Sequence, residues 1–261
     1  MTAAPDTGPR AVLITGAASG IGAATARRFI REGWRVAINF LDASQREAAQ
    51  ALAASAGAPG QRAVAIEGDV TRDADCLRLV ADTVEALGRL DALVNAAGIS
   101  KMVSHARLHD VSADDFQRIY AVNTIGPFQM MRAAAPHLKA SGRGAVVNIS
   151  SRAGLMGSGS SIPYAASKAA LNALTLALAR VLAPEVRVNA VCPALVEQGF
   201  VERLAPESFA QRRAHQIEVS PLQRIGHPDE VADAIWWLTT GASMMTGAIV
   251  ELDFGMHLNA V

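Results

Sequence analysis

The sequence has little of several features that would direct a fold or a partner. Its 261 residues include only two cysteines, Cys76 and Cys192, and no CxxC spacing, so neither a disulfide framework nor a cysteine metal centre is indicated. Aromatic residues make up 5% of the chain. Lys+Arg and Asp+Glu are 24 each, and this balance argues against the broad basic surface that nucleic-acid binding requires.

No segment resembles a leader or a membrane span. Residues 1–9 lack a basic region followed by an apolar run. The longest apolar stretch, residues 169–183, is interrupted by Asn172, Thr175 and Arg180, which predicts a buried helix. We therefore expect a cytoplasmic protein with no membrane or nucleic-acid partner and a flexible N-terminus over residues 1–9.

Short apolar runs alternate with segments of helical periodicity along the whole chain, including one long helix predicted over residues 112–140. The runs are apolar throughout, which is typical of parallel strands covered on both faces. The sequence therefore predicts the α/β class: a single-domain, doubly wound Rossmann fold with a seven-stranded parallel sheet and helices on both faces. The predicted strands are residues 11–14, 36–38, 63–66, 92–94, 145–149, 186–191 and 248–250.

A glycine-rich segment, TGAASGIG at residues 15–22, follows the first predicted strand and opens the first helix. Glycine lets the backbone turn tightly and lets a pyrophosphate come close, while the helix N-terminus offers free N–H groups and partial positive charge. A glycine-rich connection without a ligand is the minority interpretation here. The spacing of Gly16, Gly20 and Gly22 is G-x-x-x-G-x-G rather than the common G-x-G-x-x-G.

No linker, repeat or charge block divides the chain. Residues 10–261 are therefore expected to form one dinucleotide-binding and catalytic domain. Residues 197–220 have no strand partner in the predicted sheet, and a lid over the site and an ordinary surface insertion explain this segment equally well.

Tyr164 and Lys168 are four residues apart in a predicted helix, so their side chains lie on one face. A free tyrosine has a pKa of about 10, and a neighbouring ammonium lowers it by stabilising the phenolate. Taken alone, a Y-x-x-x-K pair is common on helices by chance. Ser151, however, stands at the end of the preceding predicted strand, where ligands bind in open α/β sheets.

Two further segments complete a pattern: Asn-Ala-Ala-Gly at residues 95–98 ends the fourth strand, and Asn123 lies in the following helix. With the glycine loop, Ser151 and the Y-x-x-x-K pair, this order of motifs resembles the short-chain dehydrogenase/reductase family, in particular its 3-oxoacyl reductase-like members. The resemblance covers residues 10–255. It implies an NAD(P)-dependent oxidoreductase that interconverts a carbonyl and an alcohol.

The resemblance also implies roles for four residues. Tyr164 would be the general acid and base that donates a proton to the substrate oxygen or removes it. Lys168 would hold the nicotinamide ribose and lower the tyrosine pKa. Ser151 would orient the substrate oxygen, and Asn123 would hold a water that links Lys168 to solvent.

The same resemblance implies a set of cofactor contacts and no metal. Asp69 and Val70 would contact the adenine, and Asn95 and Ala96 would line the cofactor channel. The full expected set is Gly16, Ser19, Gly20, Ile21, Gly22, Phe40, Asp69, Val70, Asn95, Ala96, Gly98, Tyr164, Lys168, Pro193 and Val196.

The sequence departs from the family pattern at four positions. Ala96 replaces the second Asn of Asn-Asn-Ala-Gly, and Ala194 replaces the Gly of Pro-Gly. Gln198 stands where a Thr would bond the nicotinamide carboxamide, so it would make that bond from a longer stem or reshape the lid. Phe254 interrupts the closing Asp-Gly-Gly, a position expected near a subunit interface.

The cofactor is expected to be NADP, with NAD as the alternative. Phe40 ends the second predicted strand, where a carboxylate would bind the ribose 2′-OH of NAD, and Asp42 comes slightly late. No arginine stands at Ser19 or Leu41 to hold a 2′-phosphate, which leaves backbone N–H groups and Arg46. The family's Asn-aromatic ending of this strand usually accompanies NADP.

The expected partner is a small carbonyl or alcohol substrate. Leu155, Met156, Met102 and Gln198 are suggested to face it, and their apolar bias indicates a fairly apolar compound. A 3-oxoacyl thioester and a sugar, polyol or steroid remain open. The alternative function is a catalytically silent nucleotide-binding or scaffolding protein, which would have no physical need for the Tyr–Lys pair.

A homo-oligomer, tetramer or dimer, is also expected. The family is usually oligomeric, and the adjacent Trp236 and Trp237 near the C-terminus would fit a subunit interface.

Overall fold

A computed structural model describes residues 8–57 and 61–259. Of the flexible N-terminus predicted over residues 1–9, the first seven residues lie outside the described part of the chain.

A single sheet forms the centre of the described structure. Its strands run in the order β3-β2-β1-β4-β5-β6-β7, and every neighbouring pair is parallel, which confirms the predicted seven-stranded parallel sheet. The order reverses between β1 and β4, so the connections leave these two strands in opposite directions and open a crevice at their carboxyl ends. The strands are β1 Ala11–Ile14, β2 Arg35–Phe40, β3 Ala63–Glu67, β4 Ala92–Asn95, β5 Gly144–Ile149, β6 Val186–Pro193 and β7 Ile249–Leu252.

Ten α-helices are described along the chain. They are α1 Gly20–Arg31, α2 Ala43–Ala54, α3 Asp73–Leu87, α4 Ala113–Tyr120, α5 Gly126–Ala140, α6 Ala153–Met156, α7 Ile162–Leu182, α8 Phe200–Leu204, α9 Pro206–Val219 and α10 Pro228–Thr240. One apolar core packs α1, α2 and α10 against the sheet, and a second packs α3, α5 and α7 against the opposite face. The doubly wound arrangement predicted from the sequence is confirmed.

The long helix predicted over residues 112–140 is not continuous. A five-residue π-helix, Ala121–Ile125, separates α4 from α5. Periodicity did not locate this change because a short π-helix shifts the helical register by only about one residue and the chain stays helical on both sides.

The helix α7 is long and apolar enough to cross a membrane by composition alone. Its buried residues include Lys168, Asn172 and Thr175, and α7 packs against β6 of the sheet. The prediction of a buried core helix for this segment is therefore confirmed.

The tryptophans of α10 have different environments. Trp236 packs edge-to-face against Phe29 at 5.0 Å and Trp34 at 5.8 Å between ring centroids, so this ring contacts the core of its own chain. Trp237 is half exposed. The homo-oligomer stays a prediction.

The connection from β1 to α1 depends on close backbone contact. Gly16 has φ +60°, and a Cβ there would lie 2.7 Å from the Cα of Ala97. A Cβ on Gly22 would overlap the carbonyl oxygen of Gly16. Only glycine lets α1 begin this close to the carboxyl ends of β1 and β4.

Gly22→Ala should therefore destabilise the protein by about 1–3 kcal/mol, the usual effect of overpacking a tight contact. The measurement is the free energy of unfolding in urea, compared with that of Gly57→Ala, whose added Cβ meets nothing within 4 Å. Equal stability of the two variants would contradict the close-contact account.

Candidate active site

A cavity of about 940 Å³ opens at the carboxyl ends of the central strands, within the range of small-molecule sites. Its wall combines the glycine loop, the ends of β3, β4, β5 and β6, the start of α7 and the segment that carries α8 and α9. Of the residues expected to form the site, those that line it are Gly16, Ser19, Gly20, Ile21, Gly22, Asp69, Val70, Ala96, Gly98, Ser151, Tyr164, Lys168, Pro193 and Val196.

One end of the cavity suits an anion. The N-terminus of α1 faces it, with no acidic residue in its first turn and no capping bond from the Ser19 side chain. Arg203 of α8 reaches the same point, where its Nη1 donates to the Ser19 Oγ at 3.3 Å. Helix N–H groups together with a guanidinium fit the phosphates of a dinucleotide.

The end of β2 differs from the expectation. Phe40 is buried in the core, and its neighbours Asn39 and Leu41 line the cavity instead. The sequence placed Phe40 at the strand end, but only the pleat decides which of two successive residues faces the ligand. Asn39 accepts a hydrogen bond from the Gly16 N–H at 3.2 Å and donates to the Gly68 carbonyl at 2.9 Å.

The charged groups near this strand end have partners within the protein. The Asp42 carboxylate accepts from the backbone N–H of Ser44 at 2.9 Å and caps α2. Arg46 forms an ion pair with Glu67 at 2.6 Å. Neither side chain lines the cavity, and the suggested phosphate contact of Arg46 stays a prediction.

Asn95 does not line the cofactor channel, contrary to expectation. It is buried, and its Nδ2 donates to Asn148 Oδ1 at 2.8 Å. Asn148 in turn donates to Thr175 Oγ1 of α7 at 2.9 Å. Asn95 therefore links β4 to β5 and, through Asn148, to α7 by hydrogen bonds buried beneath the cavity wall.

Asn123 is fully buried in the π-helix and lies outside the cavity wall. Its Oδ1 accepts from the Ile99 N–H at 2.9 Å, while its Nδ2 donates to the Ile99 carbonyl at 2.9 Å and to Ser167 Oγ at 3.1 Å. Both amide hydrogens have partners within the protein, so the side chain holds the backbone at Ile99, in the segment that follows β4. A Cβ on Gly98 would lie 3.5 Å from Asn123 Oδ1 and 3.7 Å from Lys168 Nζ.

Ser151 and Tyr164 both line the cavity, and the Ser151 hydroxyl is close enough to affect the Tyr164 pKa. Ser151 follows β5 and also accepts from the Ala153 N–H at 3.1 Å. Tyr164 lies in the first turn of α7, which begins after Ser161, the N-cap that accepts from the Tyr164 N–H. Burial raises the pKa of Tyr164 to about 12, and the Ser151 hydroxyl opposes this shift.

Lys168 lies one turn after Tyr164, with Nζ 5.8 Å from the centroid of the tyrosine ring. Its Nζ donates to the Ile149 carbonyl at 2.8 Å, and burial lowers the pKa of Lys168 to about 8. Burial has the largest effect on the Tyr164 pKa and raises it, and the lowering effect expected from the Lys168 ammonium stays a prediction.

The segment after β6 folds over the cavity as α8 and α9 and supplies Gln198, Arg203 and Arg212 to the wall. Gln198 has φ +55°, and its Nε2 lies 3.4 Å from His227 Nε2, so its amide points to the protein surface. Of the four residues suggested to face the substrate, only Gln198 lines the cavity. No motif in the sequence assigns Arg203 or Arg212 to the site.

A doubly wound sheet with a cavity at its switch point defines a Rossmann-type protein. A family model described as enoyl-(acyl carrier protein) reductase matches residues 16–257. The chain belongs to the short-chain dehydrogenase/reductase family, and it is an oxidoreductase.

Relatives that carry different names align with nearly the whole length of this chain. A protein of Streptomyces violaceoruber named as a ketoacyl reductase of the granaticin polyketide synthase is 41% identical over 94% of this chain and 95% of its own. The L-fucose dehydrogenase of Bos taurus is 35% identical over 95% of this chain and 90% of its own. The crystal structure of a short-chain dehydrogenase/reductase from Burkholderia xenovorans matches with a TM-score of 0.88 and 42% identity, covering 97% of this chain and 99% of the other.

The lowered pKa of Lys168 has a consequence for stability. Between pH 8 and its unperturbed pKa of 10.5, the unfolded chain holds a proton on this lysine that the folded chain lacks, so stability should rise with pH in this window. Relative to Lys168→Met, the wild type should gain about 2–3 kcal/mol between pH 7.5 and 10. Urea unfolding of both proteins across this range measures the difference, and a constant difference would contradict it.

Proposed function

We propose that this protein transfers a hydride between a nicotinamide dinucleotide and a carbonyl or alcohol substrate, with Tyr164 as general acid and base. The observation that carries the proposal is that Ser151, Tyr164 and the buried Lys168 meet in the wall of one cavity, with Lys168 Nζ 5.8 Å from the centroid of the tyrosine ring. This group lies in one continuous cavity with the N-terminus of α1.

The bound cofactor supplies or accepts the hydride. In reduction, Ser151 donates a hydrogen bond to the carbonyl oxygen, and Tyr164 gives that oxygen the proton it needs as it becomes an alcohol. Burial raises the pKa of Tyr164, so the hydroxyl is protonated at neutral pH, and the alkoxide that develops on the substrate is a stronger base than the phenolate and can take this proton. In oxidation, the same residue takes the proton back.

Lys168 is proposed to hold the nicotinamide ribose through its ammonium, which lies in the cavity wall and is anchored on Ile149. Asn123 has no free amide hydrogen, so a water relay at this residue would use its backbone carbonyl within the π-helix. A buried lysine with a lowered pKa costs stability, so it is better explained by catalysis than by a silent scaffolding role.

Tyr164→Phe should remove most turnover and leave cofactor binding nearly intact, because the ring stays packed while its proton is lost. General acid–base catalysis contributes roughly 10²–10⁴ in rate, so kcat should fall at least tenfold. Turnover is followed by nicotinamide absorbance with a panel of ketones, and the Kd of the cofactor by its fluorescence. A variant with more than a tenth of wild-type kcat would exclude this role.

The proposed cofactor is NADP(H). Position 19 holds a serine rather than an arginine, but Arg203 contacts Ser19 in the folded chain and places a guanidinium there. No ion pair to Arg203 is found among the described residues, so its charge is available to a phosphate. The Asp42 carboxylate, which could favour NAD, is engaged in capping α2.

NADPH should be used at least as well as NADH, and Arg203→Gln should weaken NADP⁺ binding to the free enzyme about tenfold, as expected for one charged hydrogen bond. Titration of NADP⁺ and NAD⁺ by calorimetry measures this, and Arg213→Gln, an exposed arginine outside the cavity wall, is the control.

Loss of NADP⁺ affinity alone would place Arg203 at the 2′-phosphate, and equal loss of both would place it at the pyrophosphate. Unchanged affinity for both cofactors would exclude the contact. A wild-type preference for NADH above about tenfold in kcat/KM, or 1.4 kcal/mol, would show that NADP is wrong.

A further inference from the structure

The cavity carries more positive than negative side chains, although the whole chain has a formal net charge of +0. Its two carboxylates are Asp69 and Glu197. Its cations are Arg118, Arg152, Lys168, Arg203 and Arg212. A cleft with one predominant sign of charge raises the local concentration of ligands with the opposite sign.

Two of these cations have acidic partners outside the wall. Arg118 pairs with Asp115 at 3.3 Å, and Arg152 pairs with Asp253 at 3.5 Å. Lys168 and Arg203 belong to the ends of the cavity proposed for the nicotinamide ribose and the phosphates. Arg212 is left without a role in binding the cofactor.

Arg212 has no carboxylate within 4.0 Å among the residues that the structure describes. Its Nη2 donates to the Gly159 carbonyl at 3.3 Å, and its Nε donates to Ser208 Oγ at 3.2 Å. Both acceptors are neutral, so neither balances the charge, and Nη1 has no partner in the described part of the chain. The side chain is partly buried, where a charge without a counter-ion is costly.

The position of Arg212 is on the substrate side of the cavity. Gly159, which accepts its hydrogen bond, lies beside the reactive tyrosine: a Cβ at Gly159 would be 3.8 Å from the Cδ1 of Tyr164. The guanidinium therefore lies on the same part of the wall as the proposed acid. His215, one turn further along α9, lines the cavity as well.

The helix that carries Arg212 is held in place. Gln216 is buried, and its Oε1 accepts from the Leu195 N–H at 2.9 Å while its Nε2 donates to the Arg224 carbonyl at 3.2 Å. These bonds fix α9 to the loop after β6 and to the turn before α10. Arg212 is thus presented from a defined position, as binding of a specific group requires.

We propose that Arg212 binds an oxyanion carried by the substrate, a carboxylate or a phosphate, so that the enzyme acts on a hydroxy or oxo compound with an acidic group. This inference rests on the proposed function and replaces the expectation of a fairly apolar substrate. A guanidinium presents parallel N–H donors that match the two oxygens of a carboxylate.

The test compares 3-, 4- and 5-oxohexanoate with their methyl esters, which keep the ketone and lose the charge. The wild type should reduce at least one acid with a kcat/KM about tenfold or more above that of its ester. Arg212→Gln should lower this value about 10- to 100-fold for the acid, mainly through KM, and less than threefold for the ester. Arg212→Lys should retain part of the preference.

Arg213→Gln is the matched control, because Arg213 is the adjacent, exposed arginine and does not line the cavity. It should leave the acid-to-ester ratio unchanged. A binding readout independent of turnover is the Kd of hexanoate against hexanamide, which should differ in the wild type and converge in Arg212→Gln. Unchanged thermal stability of Arg212→Gln confirms that α9 remains folded.

The outcomes separate the two proposals. If the wild type reduces neither acids, esters nor the neutral ketone panel, the proposed function fails. If it reduces ester and acid equally, or Arg212→Gln lowers both equally, the anion site is excluded while the function stands. If only the phosphate monoester of a small hydroxy ketone, such as dihydroxyacetone phosphate, responds to Arg212→Gln, the oxyanion is a phosphate rather than a carboxylate.

Discussion

Both faces of the sheet are covered by helices, and this constraint decides where polar chemistry can occur. Side chains that project from the strand faces meet apolar helices, so a ligand can reach the strands only at their ends. The reversal of strand order between β1 and β4 separates the flanking connections and turns those ends into a cavity. The glycine loop, Ser151, Tyr164 and Lys168 all lie at this one opening.

Beneath the opening, buried polar groups are joined to one another rather than to solvent. Asn95 bonds Asn148, which bonds Thr175, and the chain of bonds links β4 and β5 to α7. The Lys168 ammonium bonds the last carbonyl of β5. Because an unpaired buried polar group is costly, these bonds fix the helix carrying Tyr164 and Lys168 relative to the sheet. The reactive group is therefore positioned by the core below it.

Positively charged side chains lie at two separate regions of the cavity wall. At the glycine loop, the helix N-terminus and Arg203 form a region suited to phosphate, and at Tyr164 a second uncompensated arginine, Arg212, lies on the wall. Both arginines belong to the segment after β6, so this one segment contributes a positive charge to each region. Residues of the segment 197–220 line the cavity, and its role as a lid stays a prediction.

The sequence by itself determined the strands, the glycine loop and the Ser–Tyr–Lys group, because apolar runs, backbone freedom and one-turn spacing are local properties. It could not choose between Phe40 and its neighbours, or place Asn95 below the site, because the side of a strand that faces a ligand depends on the packed sheet. Burial raises the pKa of Tyr164, and the one-turn spacing of Tyr164 and Lys168 does not predict this effect, since burial is a property of the assembled core. Arg203 reaches Ser19 across 184 residues of chain, and Arg212 reaches Gly159 across 53. Contacts of this kind leave no pattern in the sequence, because only the folded chain brings their atoms within hydrogen-bonding distance.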